Sequence, residues 1–536
     1  MKKLFTNNLF LLGITICFGQ NWQWARSAGS DVGDGGYDVL VSTNGNIYAI
    51  GGFNHSITFD STYHATDGAC FVVEFNQEGF PLESALMFSA DINSGFYISR
   101  IFCNNDGEIF IPGDINGENY LDTIHSFSYY NGSLFKLNES LHGKWVKKIS
   151  DLVYATAFDK DNNIYVGGEI GFPTSHIDTF TLFNSSNSVV HPKMFLAKLD
   201  TASTCKWVKQ GWGGDCSIRS CSVNNNNLYV LGWADSIVHF DTTTIIGLTD
   251  FVANFDTNGN IRWHTVYTRA KSGWFGYQVQ TDMHSNCFVT AGYDSTMFVD
   301  GNTLQKFTGS NINAALLKYD STGTLLWASQ LLSDSLIYCK TIHTDNAGNT
   351  YVAGYFSGSA IFGADTVYAQ TNSDAFITRF NANGVCLGYK TIQNVTLMGI
   401  TQDSAANAIV TGNIHAGTTN FDNITLTSNG QADFFLAKLD AITGTNSSRI
   451  LIEDNRLIIY PNPNKHTFTI QLPEALAHYA NAFLQVYDNS GQKINEQNVE
   501  LVGEKLNVDI GTIDKGIYSV LLTSGHKKFT GRVVIE

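Results

Sequence analysis

The sequence predicts an all-β protein: a seven-bladed β-propeller closed by its own N-terminal strand, then a small C-terminal antiparallel β-sandwich. Three observations predict it. A turn followed by a strand rich in Val, Ile, Tyr and Phe recurs seven times, at spacings of 62, 55, 64, 59, 63 and 58 residues. The seventh repeat lacks a fourth strand, and the start of the chain supplies one. Near residue 448 the charge balance changes and the repeat stops.

The repeat is anchored by Gly45-Asn46-Ile47-Tyr48, Gly107-Glu108-Ile109-Phe110, Asn162-Asn163-Ile164-Tyr165, Asn226-Asn227-Leu228-Tyr229, Ser285-Asn286-Cys287-Phe288, Gly348-Asn349-Thr350-Tyr351 and Ala406-Asn407-Ala408-Ile409. Repeats of this length are supersecondary units that bury their apolar faces on their neighbours. The sixth is the clearest. It reads as a strand at 337–344, a turn at 345–348, a strand at 349–356, a long polar loop, a strand at 374–381, a tight turn at Gly384 and a strand near 387–392. Gly in such turns takes positive φ without steric cost, and a neighbouring Asn or Asp bonds its own backbone. In other repeats the fourth strand opens with Trp145, Trp207, Trp263 or Trp327. Four short antiparallel strands repeated seven times describe a propeller.

The termini decide between a closed ring and a linear stack. The seventh repeat has strands at 397–403, 408–413 and 434–440 and then a polar linker, 441–448. Trp22-Gln23-Trp24-Ala25-Arg26-Ser27 matches the tryptophan-led fourth strand. Closure by that strand would remove the open edges that invite aggregation. Deleting residues 22–28 should then destabilise the whole ring. The pattern DxxGNxYVxGxF followed by FxxKxDxxGxxxW resembles the SBBP-type β-propeller repeats of secreted bacterial proteins. The likeness spans about residues 22–440 and is loosest in the second repeat, where Pro112 is expected to interrupt the second strand. It implies a propeller and no particular activity.

Residues 1–19 read as a signal peptide: Lys2 and Lys3, an apolar stretch from Leu9 to Phe18, and a small residue, Gly19, before Gln20. The domains expected are therefore 1–19, a propeller over 20–448 and a C-terminal domain over 449–536. No later stretch is apolar for the ~18 residues that a membrane-spanning helix needs. Eight scattered cysteines remain after the leader, and mostly free buried thiols are favoured over a disulfide framework.

Beyond residue 448 the chain reads as alternating strands at 467–472, 482–488, 506–510, 516–523 and 527–535, a small sandwich with one buried face. It also resembles the type A C-terminal sorting domain of the type IX secretion system of Bacteroidota. The matching stretches are YPNPNKHTFTI, LQVYDNSGQKI, GIYSVLLTSGHKKF and the terminal VVIE, with Tyr460, Pro461, Asn462, Pro463, Gly491, Gly516 and Tyr518 as motif residues. The resemblance implies passage through the periplasm and outer membrane to a secreted or surface-attached state, with the secretion machinery as partner.

The full chain has 32 basic and 48 acidic residues and a net charge of −16. That excludes an extended basic face for nucleic acid and a polybasic membrane patch. The composition, 43% hydrophobic, 13% aromatic and only 15% charged, excludes disorder. No HExxH, GxSxG or phosphate-binding glycine loop is present, and no cofactor or metal is implied. Asp159–Asn163 resembles a calcium loop, but Ile164 stands where the loop needs Gly and Ile170 where it needs Glu. His239, His264 and His343 read as strand residues and not as metal ligands.

One constellation suggests binding. Trp212 and Trp274 are expected in loops leaving fourth strands and Trp233 at the end of a second strand, with Asp215, Asp235, Arg269 and Lys271 nearby in sequence. Exposed aromatics flanked by polar groups suit sugar stacking or a peptide hot spot. Packing beneath their own loops is the competing reading. Two functions follow: a non-catalytic binding or adhesion scaffold for glycan or protein, which is preferred, or a secreted polysaccharide-acting enzyme with carboxylates on the same face.

Overall fold

The computed structural model describes residues 20–89, 95–98, 100–121, 124–184, 191–240, 243–268, 278–307, 309–443, 457–472, 476, 479–488, 493–524 and 527–535. The chain divides into two compact units, residues 1–450 and 451–536, each described here by itself. The expected signal peptide lies outside the described residues. So do most of the inter-domain linker, Gly491, Arg269, Lys271 and Trp274.

The first unit is a propeller-like, all-β repeat. In the sixth repeat, Leu336–Thr344, Thr350–Ser357, Asp374–Phe380 and Cys386–Ile392 pair antiparallel in that order. The second and third strands are buried from end to end, apart from two half-buried positions in the second. In the seventh repeat, Val395–Gln402, Ala408–His415 and Ala432–Leu439 are completed by Trp22–Ala28 from the far end of the chain. Trp24 lies opposite Lys438 and Ala25 opposite Ala437. The Asp440 N–H extends this ladder to the Asn21 carbonyl at 3.0 Å.

The fourth-strand tryptophan is a clasp between repeats. Trp207 Nε1 donates to the Thr257 carbonyl at 3.3 Å, Trp263 to Ser321 at 3.0 Å and Trp327 to Ala382 at 3.0 Å. Each carbonyl belongs to the tight turn of the next repeat. Trp24 makes the same bond to Gln77 of the first repeat at 3.0 Å. The turn glycine is required twice over. Gly79, Gly259, Gly323 and Gly384 all have positive φ. A Cβ on any of them would also run into the tryptophan ring, at 2.7 Å in three of the four.

A second recurring contact lies inside four of the repeats. A basic residue on the third strand reaches the acid of the first turn: Lys198–Asp159 at 3.6 Å, Lys318–Asp282 at 3.5 Å, Arg379–Asp345 at 3.5 Å and Lys438–Asp403 at 2.8 Å. The turn acid also holds its own turn together, as when Asn349 donates to both oxygens of Asp345 at 2.8 Å. In the fourth repeat both partners are gone, replaced by Asn224 and Asn254.

Two expectations need correction. The long polar loops between second and third strands carry hairpins, for example Val238–Phe240 with Thr243–Ile245 and Ser359–Phe362 with Asp365–Tyr368. These two hairpins add to the fourth strand of the preceding repeat and so cover its edge. Pro112 does not interrupt the second strand, which runs through it as Ile109–Leu121. It is the first strand that breaks, into Gly95–Ile98 and Phe102–Cys103, because proline offers no N–H to that neighbour.

The second unit has two antiparallel sheets. One orders Ile458–Tyr460, Thr467–Gln471 and Lys505–Asp509. The other orders Lys493–Glu500, Asn481–Tyr487, Gly516–Ser524 and Lys527–Ile535. Strictly alternating residues such as Phe468, Ile470, Leu484, Val486, Val520 and Leu522 meet in a single core. The strand 493–500 was not anticipated, because its alternation is almost wholly polar and exposed.

Candidate functional site

The fourth strand of the third repeat, Cys205–Gly213, runs on past its own sheet. Its last residues, Gly211–Gly213, pair with Val238–Phe240, and that strand pairs with Thr243–Ile245. Alternation sorts this three-stranded sheet cleanly. Val238, Phe240 and Ile245 point inward and are buried. Trp212, Ile237, His239, Thr244 and Ile246 occupy the opposite face. There Trp212 is 48% exposed, Ile237 53% and Ile246 65%, with Leu248 beyond them at 47%. Burying such side chains would be favourable by roughly 1.5–3 kcal/mol each. Trp212 therefore lies on a paired strand, not in the loop expected for it. Ile237, Ile246 and Leu248 were missed, because three-residue strands of mixed polarity look like loop.

The polar groups sit at one end of this sheet. The Asp215 N–H donates to Asp235 Oδ1 at 2.8 Å, and the Asp235 N–H donates back to the Asp215 carbonyl at 3.0 Å. Asp215 also takes Lys193 Nζ at 3.1 Å and His191 Nδ1 at 2.8 Å. The structure thus brings Asp215 and Asp235 together, beside Trp212 in the chain. Trp233 stands on a different sheet, opposite Ser217 and Asp250, and is half-buried.

A second group of ionisable side chains lies on the first and second strands of repeats two to four. Burial pushes the Asp114 carboxyl up to about 7, and its Oδ1 has no hydrogen-bond partner. Nearby, Glu169 is ion-paired with Arg219 at 2.8 Å. The Arg219 guanidinium lies 4.2 Å over the Tyr154 ring. Sequence reasoning could not select these two acids from a background of 48.

The remaining candidates have structural surroundings. Burial pushes His343 down to about 4. His239 Nδ1 lies 3.0 Å from Thr244 Oγ1. The eight cysteines Cys70 to Cys386 are free thiols, all buried except half-buried Cys103. Among the described residues no group of His, Cys, Asp and Glu is arranged to hold a metal ion, and no helix is long and apolar enough to cross a membrane.

In the C-terminal unit the sorting-motif residues do structural work. Asn462 bridges the last strand as a backbone would, donating to the Arg532 carbonyl at 3.0 Å and accepting the Val534 N–H at 2.7 Å. Tyr518 is buried, and its hydroxyl donates to the Asp514 carbonyl at 2.7 Å. Gly516 opens that strand, and Tyr460 with Pro461 and Pro463 leads into the Asn464 contact with Ile535 on the last strand.

Comparison with known proteins decides the identity of this unit. Residues 458–536 match the secretion system C-terminal sorting domain family. They are a type IX sorting tail. Such a tail marks a protein that is exported to the cell surface or secreted. The larger unit has weaker relatives. An uncharacterized WD repeat-containing protein of Acanthamoeba polyphaga mimivirus is 23% identical over 157 residues, 26% of this chain and 11% of that protein. The chain thus spans about a tenth of that relative's length. The extracellular region of plexin A4 shares 8% identity over 94% of this chain and 60% of its own, with a TM-score of 0.38. The extracellular domain of a one-component system from B. thetaiotaomicron shares 11% identity over 96% and 100%, with a TM-score of 0.16.

Proposed function

We propose that this chain is carried by its leader and sorting tail through the periplasm and the type IX machinery, and acts outside the cell as a non-catalytic binding scaffold for glycan or protein. Its body is a seven-bladed β-propeller closed by Trp22–Ala28, and its tail is a β-sandwich. The ring is supported by the packing of the seventh repeat's first strand against the first repeat and by the Trp24 clasp. The binding role rests on one observation: the outward sheet face of Trp212, Ile237 and Ile246. A contiguous exposed apolar face with a polar rim is characteristic of interaction sites. The test is retention of the full chain on a panel of plant, algal and microbial polysaccharides and on extracellular proteins. Trp212→Ala should abolish retention and leave the melting temperature nearly unchanged. Equal retention by Trp212→Ala would overturn the reading.

One observation favours the alternative, a polysaccharide-acting enzyme. Paired carboxyl groups whose environments push their titrations apart are how one site holds an acid and a base at neutral pH. Asp114 is a buried carboxyl raised to about 7, beside the Glu169 charge, and so could serve as the proton donor of such a site. On this reading the full chain releases new reducing ends, and Asp114→Asn lowers the rate by about a hundredfold or more. An unchanged rate would remove Asp114 from the chemistry.

A further inference from the structure

The chemistry of the Trp212 face narrows what it can hold, and strand register fixes its layout. Trp212 lies opposite His239, and His239 opposite Thr244. One step along, the same register sets Ile237 opposite Ile246, and the Gly214 N–H donates to the Ile237 carbonyl at 2.8 Å. Gln210, two residues before Trp212, shares its side of the strand. The Gln210 side chain bonds the Phe183 backbone twice, accepting the Phe183 N–H at 3.0 Å and donating to its carbonyl. Phe183 ends a hairpin strand of the third repeat and is 49% exposed. A second exposed aromatic is thus tied beside the Trp212 strand.

The polar groups of this face argue against a sugar. A stacked sugar ring needs donors and acceptors around it for its hydroxyls. Here the Gln210 amide is spent on Phe183, and His239 and Thr244 lie against each other, Nδ1 to Oγ1 at 3.0 Å. Ile237, Ile246 and Leu248 offer no polar side-chain atom. An aromatic anchor set in apolar surface is the make-up of a protein interface core. The sheet also offers backbone. Its outer strand, Thr243–Ile245, pairs with Val238–Phe240 and has no strand on its far side among the described residues. An open edge is where an extended polypeptide adds as a further strand.

The rim sets the sign of the partner. Asp215 is neutralised by Lys193 at 3.1 Å and faces His191 at 2.8 Å. Asp235, two residues before Ile237, is exposed. Its Oδ1 accepts the Asp215 N–H at 2.8 Å and the Ser236 hydroxyl at 2.9 Å. Among the described residues no Lys, Arg or His is paired with it. The chain as a whole carries −16. An acidic partner is repelled at such a rim and a basic one is drawn to it.

We propose that this face docks an extended polypeptide segment of a partner protein, one that combines apolar and basic side chains. The inference rests on the binding role given above to the Trp212 face and narrows it to a polypeptide. Apolar side chains of the segment cover Trp212, Ile237 and Ile246, its backbone pairs with Thr243–Ile245, and a Lys or Arg reaches Asp235.

The test is calorimetry on the full chain at constant ionic strength with three probes: a blocked peptide of alternating Lys and Leu, its counterpart of alternating Glu and Leu, and cellohexaose. The Lys–Leu peptide should bind, and the other two should not. Trp212→Ala and Ile246→Ser should each weaken the Lys–Leu peptide about tenfold or more and leave the melting temperature nearly unchanged. Those losses separate docking on this face from general attraction to an acidic chain. Asp235→Asn keeps the oxygen that accepts the Asp215 N–H but removes the charge, and should weaken the peptide about threefold or more. No binding of the Lys–Leu peptide, or wild-type binding by both Trp212→Ala and Ile246→Ser, would overturn the proposal. Binding of cellohexaose that Trp212→Ala abolishes would overturn it too, while leaving the binding role of the face standing.

Discussion

The sixth and fourth repeats share four strands, a first turn and a tryptophan clasp, and differ in what lies between turn and third strand. The sixth holds Arg379 against Asp345 at 3.5 Å and over the Tyr351 ring at 5.1 Å. The fourth places Asn254 there, fully buried, with its Oδ1 unsatisfied. Acid and base disappear together, because a lone buried charge is far costlier than none. The fourth repeat is also the one whose hairpin carries the exposed apolar face.

The largest effects should come from what the two repeats share. Trp207→Ala loosens the clasp into the fourth repeat and Trp327→Ala the clasp into the sixth. Each should cost about 3–5 kcal/mol in equilibrium unfolding, and nearly the same amount. Removing residues 22–28, which carry Trp24 and a whole strand, should abolish the cooperative transition of the larger unit. A much smaller cost at Trp207 than at Trp327 would show that the fourth repeat is held in another way.

Next comes what separates them. Arg379→Met strands Asp345 and should destabilise by about 2–3 kcal/mol. Asn254→Met, which removes an unsatisfied polar group, should be neutral or slightly stabilising. Denaturant midpoints of the two variants compare these directly.

A smaller effect separates the repeats by pH. Burial alone would raise the Asp403 carboxyl of the seventh repeat, but Lys438 and Asn407 hold it below its ordinary value. A carboxyl depressed in the folded state stabilises above its unfolded pKa, about 4, and that contribution fades as pH falls through the folded value. Asp403→Asn should therefore flatten the acid limb of the stability curve by about 1 kcal/mol. The fourth repeat has Asn224 at this position and no such contribution to lose. The smallest expected effect is Trp212→Ala on melting temperature, because its side chain is about half in water.

Much of this was legible in the chain. Turn chemistry and strand propensity repeat at nearly constant spacing, so the units and their four strands could be counted. The tryptophan-led start of the chain pointed to a shared final sheet, and the YPNPN segment pointed to the sorting tail. Trp212 was visible as an unusual aromatic, but its neighbours Ile237 and Ile246 were not, since strands of three residues leave no period to read. The Asp114 and Glu169 pair was not legible either, because acids 55 residues apart carry no local sign of meeting.

The sequence by itself determined the all-β class, the repeat, the strand that completes the last sheet and the export tail, because each is written in local propensity, spacing or short motif. Only the tertiary structure decided which side chains act together. The tryptophan clasps, the turn-to-strand ion pairs and the Trp212 face all join residues from separate strands or repeats. Their closeness depends on strand register and on how one sheet packs against the next, and neither is encoded in any single stretch of chain.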